Sequence, residues 1–290
     1  MAVAGWSDFR FEGIGTQWEI STADPLEAAV GSRLLEIVEE YDHNYSRFRS
    51  DSLVTRIARD PGHYSLPSGS EDLARIYASL YRMSGGRVTP LIGGSLERLG
   101  YGADYSLRAE GAPLPAPRWE DALQWEDRSV TTRQPVVLDI GAAGKGQLVD
   151  LLSAELERSG HHDFVVDGSG DMRHQGGTPI TVALEHPYDA SQAIGTLELA
   201  GRALCASAAN RRAWGDGLHH VLDGATGAPV QTVVATWAMA STALEADALA
   251  TALFLVESTL LENEFEFDWL LVYSDGRARY SDAFKGRLFA

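Results

Sequence analysis

The segment Glu245-Ala-Asp247-Ala-Leu249-Ala-Thr251-Ala-Leu253-Phe254 sets an acid and a hydroxyl four residues apart in an otherwise apolar stretch. Residues at i and i+4 share one helix face, so a helix here points Asp247 and Thr251 the same way. Leu249, Leu253, Phe254 and Val256 call for burial, and a half-buried carboxylate needs a partner because desolvating an unpaired charge is costly. A carboxylate with a hydroxyl suits a hard cation such as Mg²⁺ better than Zn²⁺. The competing reading is structural: an acid in the N-terminal turn and a Thr bonding back to a helix carbonyl.

Asp139-Ile-Gly141-Ala-Ala-Gly144-Lys145-Gly146 falls between an apolar segment and an amphipathic one. Glycines there let backbone N–H groups approach a phosphate, and Lys145 adds a compact positive charge. It is not a P-loop, because the spacing is short and no Ser or Thr follows the lysine. A tight turn that needs small residues explains the same pattern. Asp167-Gly-Ser-Gly-Asp171 reads first as a turn. In His219-His220-Val-Leu222-Asp223-Gly-Ala-Thr226-Gly227, adjacent strand histidines face opposite ways, so only one can share a pocket with Leu222.

The elements that must position these residues follow from periodicity. A strand is expected over Phe9 to Ser21, then a helix opened by Asp24-Pro25 and running to about Tyr41. A short helix around Val54 and one from Glu71 to Met83, stopped by Gly85-Gly86, come next. Tyr101 to Trp119, rich in Gly and Pro, reads as an irregular excursion. Paired strands fit Ala122 to Trp125, Ser129 to Thr132 and Val136 to Leu138, with an amphipathic helix over Gly146 to Ser159. Strands then fit Phe164 to Val166, Ile180 to Leu184, Gly195 to Leu199, Ala203 to Ser207, His219 to Leu222 and Val230 to Met239. The Asp247 helix and a hairpin turning at Asp275-Gly276 close the chain. Strands and helices in unequal runs argue for α+β with much antiparallel sheet.

Twenty-four Lys+Arg against forty-one Asp+Glu give a net charge of −17, which repels nucleic acid and anionic membranes. An anionic ligand therefore needs local help from cations or backbone N–H groups. Cys205 is the only cysteine, which excludes an internal disulfide and any cysteine-based metal cluster. The first ten residues lack a basic region followed by an apolar run, and no window reads as a membrane span, so a cytoplasmic location is expected.

Taken in order, Ser46-Arg-Phe48-Arg-Ser-Asp51-Ser52, Leu138 to Gly146, Gly168-Ser-Gly-Asp171, His220-Val-Leu-Asp223 with Thr226-Gly227, and Ala246 to Ala252 resemble the ApbE family of FAD:protein FMN transferases. The likeness runs from about Gly15 to Val256, and the segments at 138–146, 219–227 and 246–252 are specific in combination, order and spacing. The resemblance implies one two-lobed α+β domain over residues 1–290, with mixed, largely antiparallel sheet and packed helices, holding FAD and Mg²⁺. Such enzymes move FMN from FAD to a Thr or Ser hydroxyl of a partner protein and release AMP. By the same resemblance, Mg²⁺ would be held by the Ala142 carbonyl, the Asp247 carboxylate and the Thr251 hydroxyl. Asp139, Lys145, Leu222, Phe48 and Ile14 would contact FAD, and His220 would accept the proton, with Asp247 the other catalytic residue. Two departures stand out: many members of the family are exported lipoproteins with an N-terminal cysteine, a segment not read in this sequence, and the second lies after the double glycine. The family has a Phe-Asp pair after its double glycine, where this chain reads Gly85-Gly86-Arg87-Val88-Thr89-Pro90. Asp223 to Ala228 resembles the motif such enzymes modify, but Pro229 stands at its last hydroxyl position, so self-flavinylation is not expected. The same site would also serve an Mg²⁺-dependent FAD pyrophosphatase, with water in place of the partner hydroxyl, or a non-catalytic flavin-binding protein.

Overall fold

The computed structural model describes residues 5–289; residues 1–4, part of the N-terminal segment read above, lie outside them. The chain opens with β1 (Ser7–Gly13) and β2 (Thr16–Thr22), then α1 (Ala28–Tyr45), α2 (Leu53–Arg59), β3 (His63–Ser65) and α3 (Ser70–Ser84). Next come α4 (Gly93–Arg98), α5 (Trp119–Ala122), β4 (Leu123–Glu126), β5 (Ser129–Thr132) and α6 (Gly144–Arg158). They are followed by β6 (Phe164–Asp167), β7 (Asp171–Gln175), β8 (Ile180–His186), β9 (Asp189–Leu199) and β10 (Ala203–Ala208). The last elements are β11 (Ala213–Trp214), β12 (Leu218–His219), β13 (Val233–Ala240), α7 (Ala243–Ala252), α8 (Ser258–Leu261), β14 (Asp268–Tyr273) and β15 (Ala278–Tyr280).

One eight-stranded sheet, ordered β1-β2-β6-β7-β10-β13-β14-β15, is antiparallel at every junction. Side chains alternate across a strand, and in the inner strands β10, β13 and β14 both faces are largely buried. Cys205, Ala238, Ala240, Trp269 and Leu271 join a core shared with the helices. Their sequence neighbours Leu204, Trp237, Met239, Leu270 and Val272 join a second core with the β8–β9 hairpin. This two-sided burial explains why β13 and β14 read as continuous apolar runs. α6 and α7 cross on the first face and carry the site. Among the described residues, no helix is long and apolar enough to cross a membrane.

Several boundaries depart from expectation. The run from Phe9 to Ser21 is a hairpin, because Ile14 and Gly15 take φ of 45° and 73° and reverse the chain with Gly13 opposite Thr16. Val136 to Leu138 forms no strand. It packs on the 90–93 turn, where Asp139 N–H donates to the Pro90 carbonyl at 2.8 Å, and the third strand of that small sheet is β3 instead. The expected strand at His219 to Leu222 shrinks to a two-residue β12, with Leu222 bridged to Pro229. After the glycine turn at 168–170, Asp171 starts β7, a strand the sequence reading left in the turn. The first helix begins at Ala28, past the Asp24-Pro25 signal.

Candidate active site

The turn before α6 is built on Asp139. Its Oδ1 accepts from Gly141 N–H at 2.7 Å, and its Oδ2 accepts from Arg47 Nε at 2.5 Å. A second Arg47 nitrogen donates to the Tyr101 carbonyl at 2.7 Å. Burial works to raise the Asp139 carboxyl, but the Arg47 charge and these hydrogen bonds outweigh it and hold the group below its ordinary value. Arg47 also lies 4.2 Å from the Phe48 ring centre, so one buried cation orders both the acid and the aromatic residue.

α7 needs no help from Asp247 at its own end. Thr242 caps it by accepting from Glu245 N–H at 3.2 Å. Asp150 of α6 accepts from Ala243 and Leu244 N–H at 3.0 and 2.8 Å. Asp247 instead crosses to α6, where its Oδ2 accepts from Gly146 N–H at 2.9 Å. Thr251 lies one turn on, its hydroxyl 3.4 Å from Ser207 Oγ of β10 rather than bonded back into its helix.

Beneath them, Lys145 Nζ is ion-paired with Asp171, which is fully buried. Burial opposes the Lys145 charge, yet Asp171 and then Asp247 outweigh it and raise its pKa. Burial first and Asp171 second push the Asp247 carboxyl well up, with Lys145 and the Gly146 N–H pulling the other way. Two buried carboxylates therefore share one ammonium. That excess of negative charge, beside a hydroxyl, is an environment a cation stabilises.

His219 and His220 divide as strand alternation requires. His219 is buried, its Nε2 2.8 Å from the Val230 carbonyl, while its Nδ1 accepts from Val221 N–H at 3.2 Å. His220 turns to the cleft with Leu222, and its buried Nδ1 has no hydrogen-bond partner. Desolvation, then the Arg212 charge, lower its pKa to about 4. Arg87, where the family acid is missing, pairs with Asp223 at 2.8 Å and also donates to the Leu255 carbonyl.

A cleft of about 400 Å³ is lined by Asp139, Ala142, Lys145, His220, Leu222, Asp247 and Thr251. A neighbouring cleft of about 320 Å³ shares Asp139, Lys145 and Arg212 with it and adds Ile14 and Phe48. Residues 14 to 251, scattered across the sequence, thus converge on one continuous surface. The reading from sequence missed Arg47 and Asp171. Asp171 was hidden in a turn pattern, directly after the Gly168-Ser-Gly170 bend, where nothing local marks it as the partner of Lys145. Among the described residues, no three His, Cys, Asp or Glu gather into a metal-holding group. Ala142, Asp247 and Thr251 nevertheless all line the cleft, and carbonyl, carboxylate and hydroxyl oxygens are the donor types that a hard cation takes.

Comparison with known proteins agrees with this geometry. The family model described as the ApbE family matches residues 14–264. A protein of Rhodobacter capsulatus named FAD:protein FMN transferase is 30% identical over 209 residues, which cover 67% of this chain and 38% of that protein. One of the same name from Haemophilus influenzae is 24% identical over 249 residues, covering 76% and 70%. The chain spans well under half of the Rhodobacter capsulatus relative and of the Escherichia coli K12 one, 38% and 41% of their lengths. The crystal structure of the ApbE protein of Thermotoga maritima matches at a TM-score of 0.84 and 21% identity, over 98% of this chain and 100% of that one. The flavin transferase ApbE of Vibrio cholerae matches at 0.79 and 18%, over 98% and 99%. At these identities the structural likeness is one of fold. Together with the family match over 14–264 and the convergence of its motifs on one cleft, it assigns the chain to a family: this protein belongs to the ApbE family.

Proposed function

We propose that this protein is an Mg²⁺-dependent FAD:protein FMN transferase, moving FMN from FAD onto a Thr or Ser hydroxyl of a partner protein with release of AMP. One observation carries the reading: a neutral His220 and the oxygens of Asp247 and Thr251 line the same cleft. A proton acceptor must be unprotonated at working pH, and a histidine lowered to about 4 meets that condition. The His220 Nδ1 is buried without a hydrogen-bond partner, which adds to the cost of charging the ring.

Ala142 through its carbonyl, Asp247 and Thr251 are the residues that would hold Mg²⁺. When bound, the ion supplies positive charge against the pyrophosphate and the charge that builds on it. Asp139, Lys145, Leu222, Phe48 and Ile14 would contact FAD, with Phe48 and Leu222 giving apolar surface and Lys145 positive charge. In the reaction, the partner hydroxyl oxygen forms a bond to the FMN phosphorus. The bond from that phosphorus to the bridging oxygen breaks, AMP leaves with that oxygen, and the His220 imidazole takes the hydroxyl proton.

The test is incubation with FAD and Mg²⁺, with and without candidate acceptor proteins, followed by mass measurement of protein and small molecules. A transferase puts FMN covalently on the acceptor and releases AMP in equal amount. Rapid FMN and AMP formation without an acceptor would make it a pyrophosphatase. Binding without cleavage would make it a flavin carrier.

A further inference from the structure

Positive charge in the cleft is almost entirely spent. Arg47 is paired with Asp139 at 2.5 Å, Arg87 with Asp223 at 2.8 Å, Arg211 with Glu185 at 2.9 Å and Arg49 with Glu39 at 2.7 Å. Lys145 is matched by the buried Asp171, with Asp247 alongside. Arg212 alone among the cleft cations makes no ion pair at contact distance among the described residues; Asp139, already held by Arg47, feels its charge only from further off. It lines both parts of the cleft, on the side of His220 and on the side of Phe48.

Arg212 is not loose, however. Its Nη1 donates to the Tyr101 hydroxyl at 2.6 Å, and its guanidinium carbon sits 5.8 Å from the centre of that ring. Tyr101 is itself stacked on Trp214, ring centres 5.4 Å apart, and Trp214 Nε1 donates to the Leu99 carbonyl at 2.8 Å. One edge of the fork is thus anchored while its other N–H groups stay available. In a chain of net charge −17, an anion entering the cleft needs an uncompensated cation, and a guanidinium fork matches phosphate oxygens.

We propose that Arg212 is a substrate-binding residue that grips the pyrophosphate of the dinucleotide. The assignment rests on the reading of FAD as substrate, and its test separates the two. Arg212 is exposed at the end of the 3₁₀ turn Ala209–Arg212, and the contact with the core that its replacement breaks is the one to Tyr101, which the melting temperature reads. Binding of ADP, riboflavin and FAD to wild type, Arg212→Gln and Arg212→Lys is measured at several salt concentrations, with melting temperatures as the control on folding. Loss of a charge-assisted contact should weaken ADP and FAD by about 10-fold or more in Arg212→Gln. Arg212→Lys should fall between, because it keeps the charge and loses the fork. Riboflavin, which has no phosphate, should be unaffected. Added salt should weaken ADP binding more in wild type than in Arg212→Gln. Unchanged ADP binding in Arg212→Gln, an equal loss for riboflavin, or no ADP binding by wild type would overturn the assignment. If ADP behaves as expected while wild type never cleaves FAD, the transferase reading fails and the Arg212 assignment stands.

Discussion

Gly146 and Asp247 meet where α6 and α7 cross: the Gly146 N–H donates to Asp247 Oδ2 at 2.9 Å, and only a glycine allows it. A Cβ on Gly146 would lie 2.0 Å from the Ala243 carbonyl oxygen and 2.7 Å from Asp247 Cβ. The helices would have to separate, and the carboxylate would lose its backbone donor. Gly146→Ala should therefore destabilise the protein by about 1–3 kcal/mol or more, the usual cost of overpacking. Urea unfolding measures it, and an unchanged midpoint would mean the crossing is looser than described.

If His220 is the proton acceptor, it sets the acid limb of the pH profile. With its pKa lowered to about 4, it stays unprotonated and able to accept a proton at every pH well above that value. The expected rate, with saturating FAD and Mg²⁺, is flat on this account from pH 8 down to 6. It declines only as protonation sets in toward pH 4. An acid limb centred near the ordinary histidine value of 6.5 would contradict the site's electrostatics. His220→Asn should slow transfer by about 10²–10⁴-fold, the usual worth of a general base.

The Ile14-Gly15 turn sets a strained residue at the edge of the cleft. Ile14 holds a φ of 45°, which a β-branched side chain resists, while its side chain lines the cleft beside Phe48. Ile14→Asn should relieve about 1 kcal/mol of backbone strain, since Asn tolerates the left-handed region, while giving up the packing of Ile14 on the core. FAD affinity should fall. A melting temperature near that of wild type with weakened FAD binding is the expected pair; affinity unchanged would remove Ile14 from the binding surface.

Much of this architecture was legible because its signals are local. The helix over Ser70–Ser84 ends at Gly85, whose left-handed φ of 62° is the C-terminal stop that the glycine pair advertises. The Asp275-Gly276 turn likewise marks the last hairpin. Asp247 and Thr251 fall on one helix face from spacing alone. What escaped depends on long-range contact. Val136 to Leu138 has strand-like side chains but pairs with no strand, and the next residue, Asp139, donates its N–H to the Pro90 carbonyl. Asp171 looks like a turn acid until β7 pairs with β10 and sets it under Lys145. Arg47 reads as one charge in a polar segment, and only the fold brings Asp139, ninety-two residues on, to its side.

The most direct test of the metal-assisted account is Asp247→Asn, read by both Mg²⁺ binding and turnover. The substitution keeps the shape and removes one of the two carboxylates that share Lys145. Without metal, the variant should fold as well as wild type, because it relieves that crowding. Losing a ligand's supporting contacts alone costs about 10–100-fold in metal affinity or activity, so losing the ligand should cost at least that. Thr251→Val should cost less and recover in part at high Mg²⁺, since water can replace a neutral hydroxyl. Mg²⁺ should raise the melting temperature of wild type and leave Asp247→Asn unmoved, with FAD turnover lost in parallel. If Asp247→Asn keeps the Mg²⁺-induced shift and turns over FAD like wild type, the metal does not sit on α7 and the account is wrong.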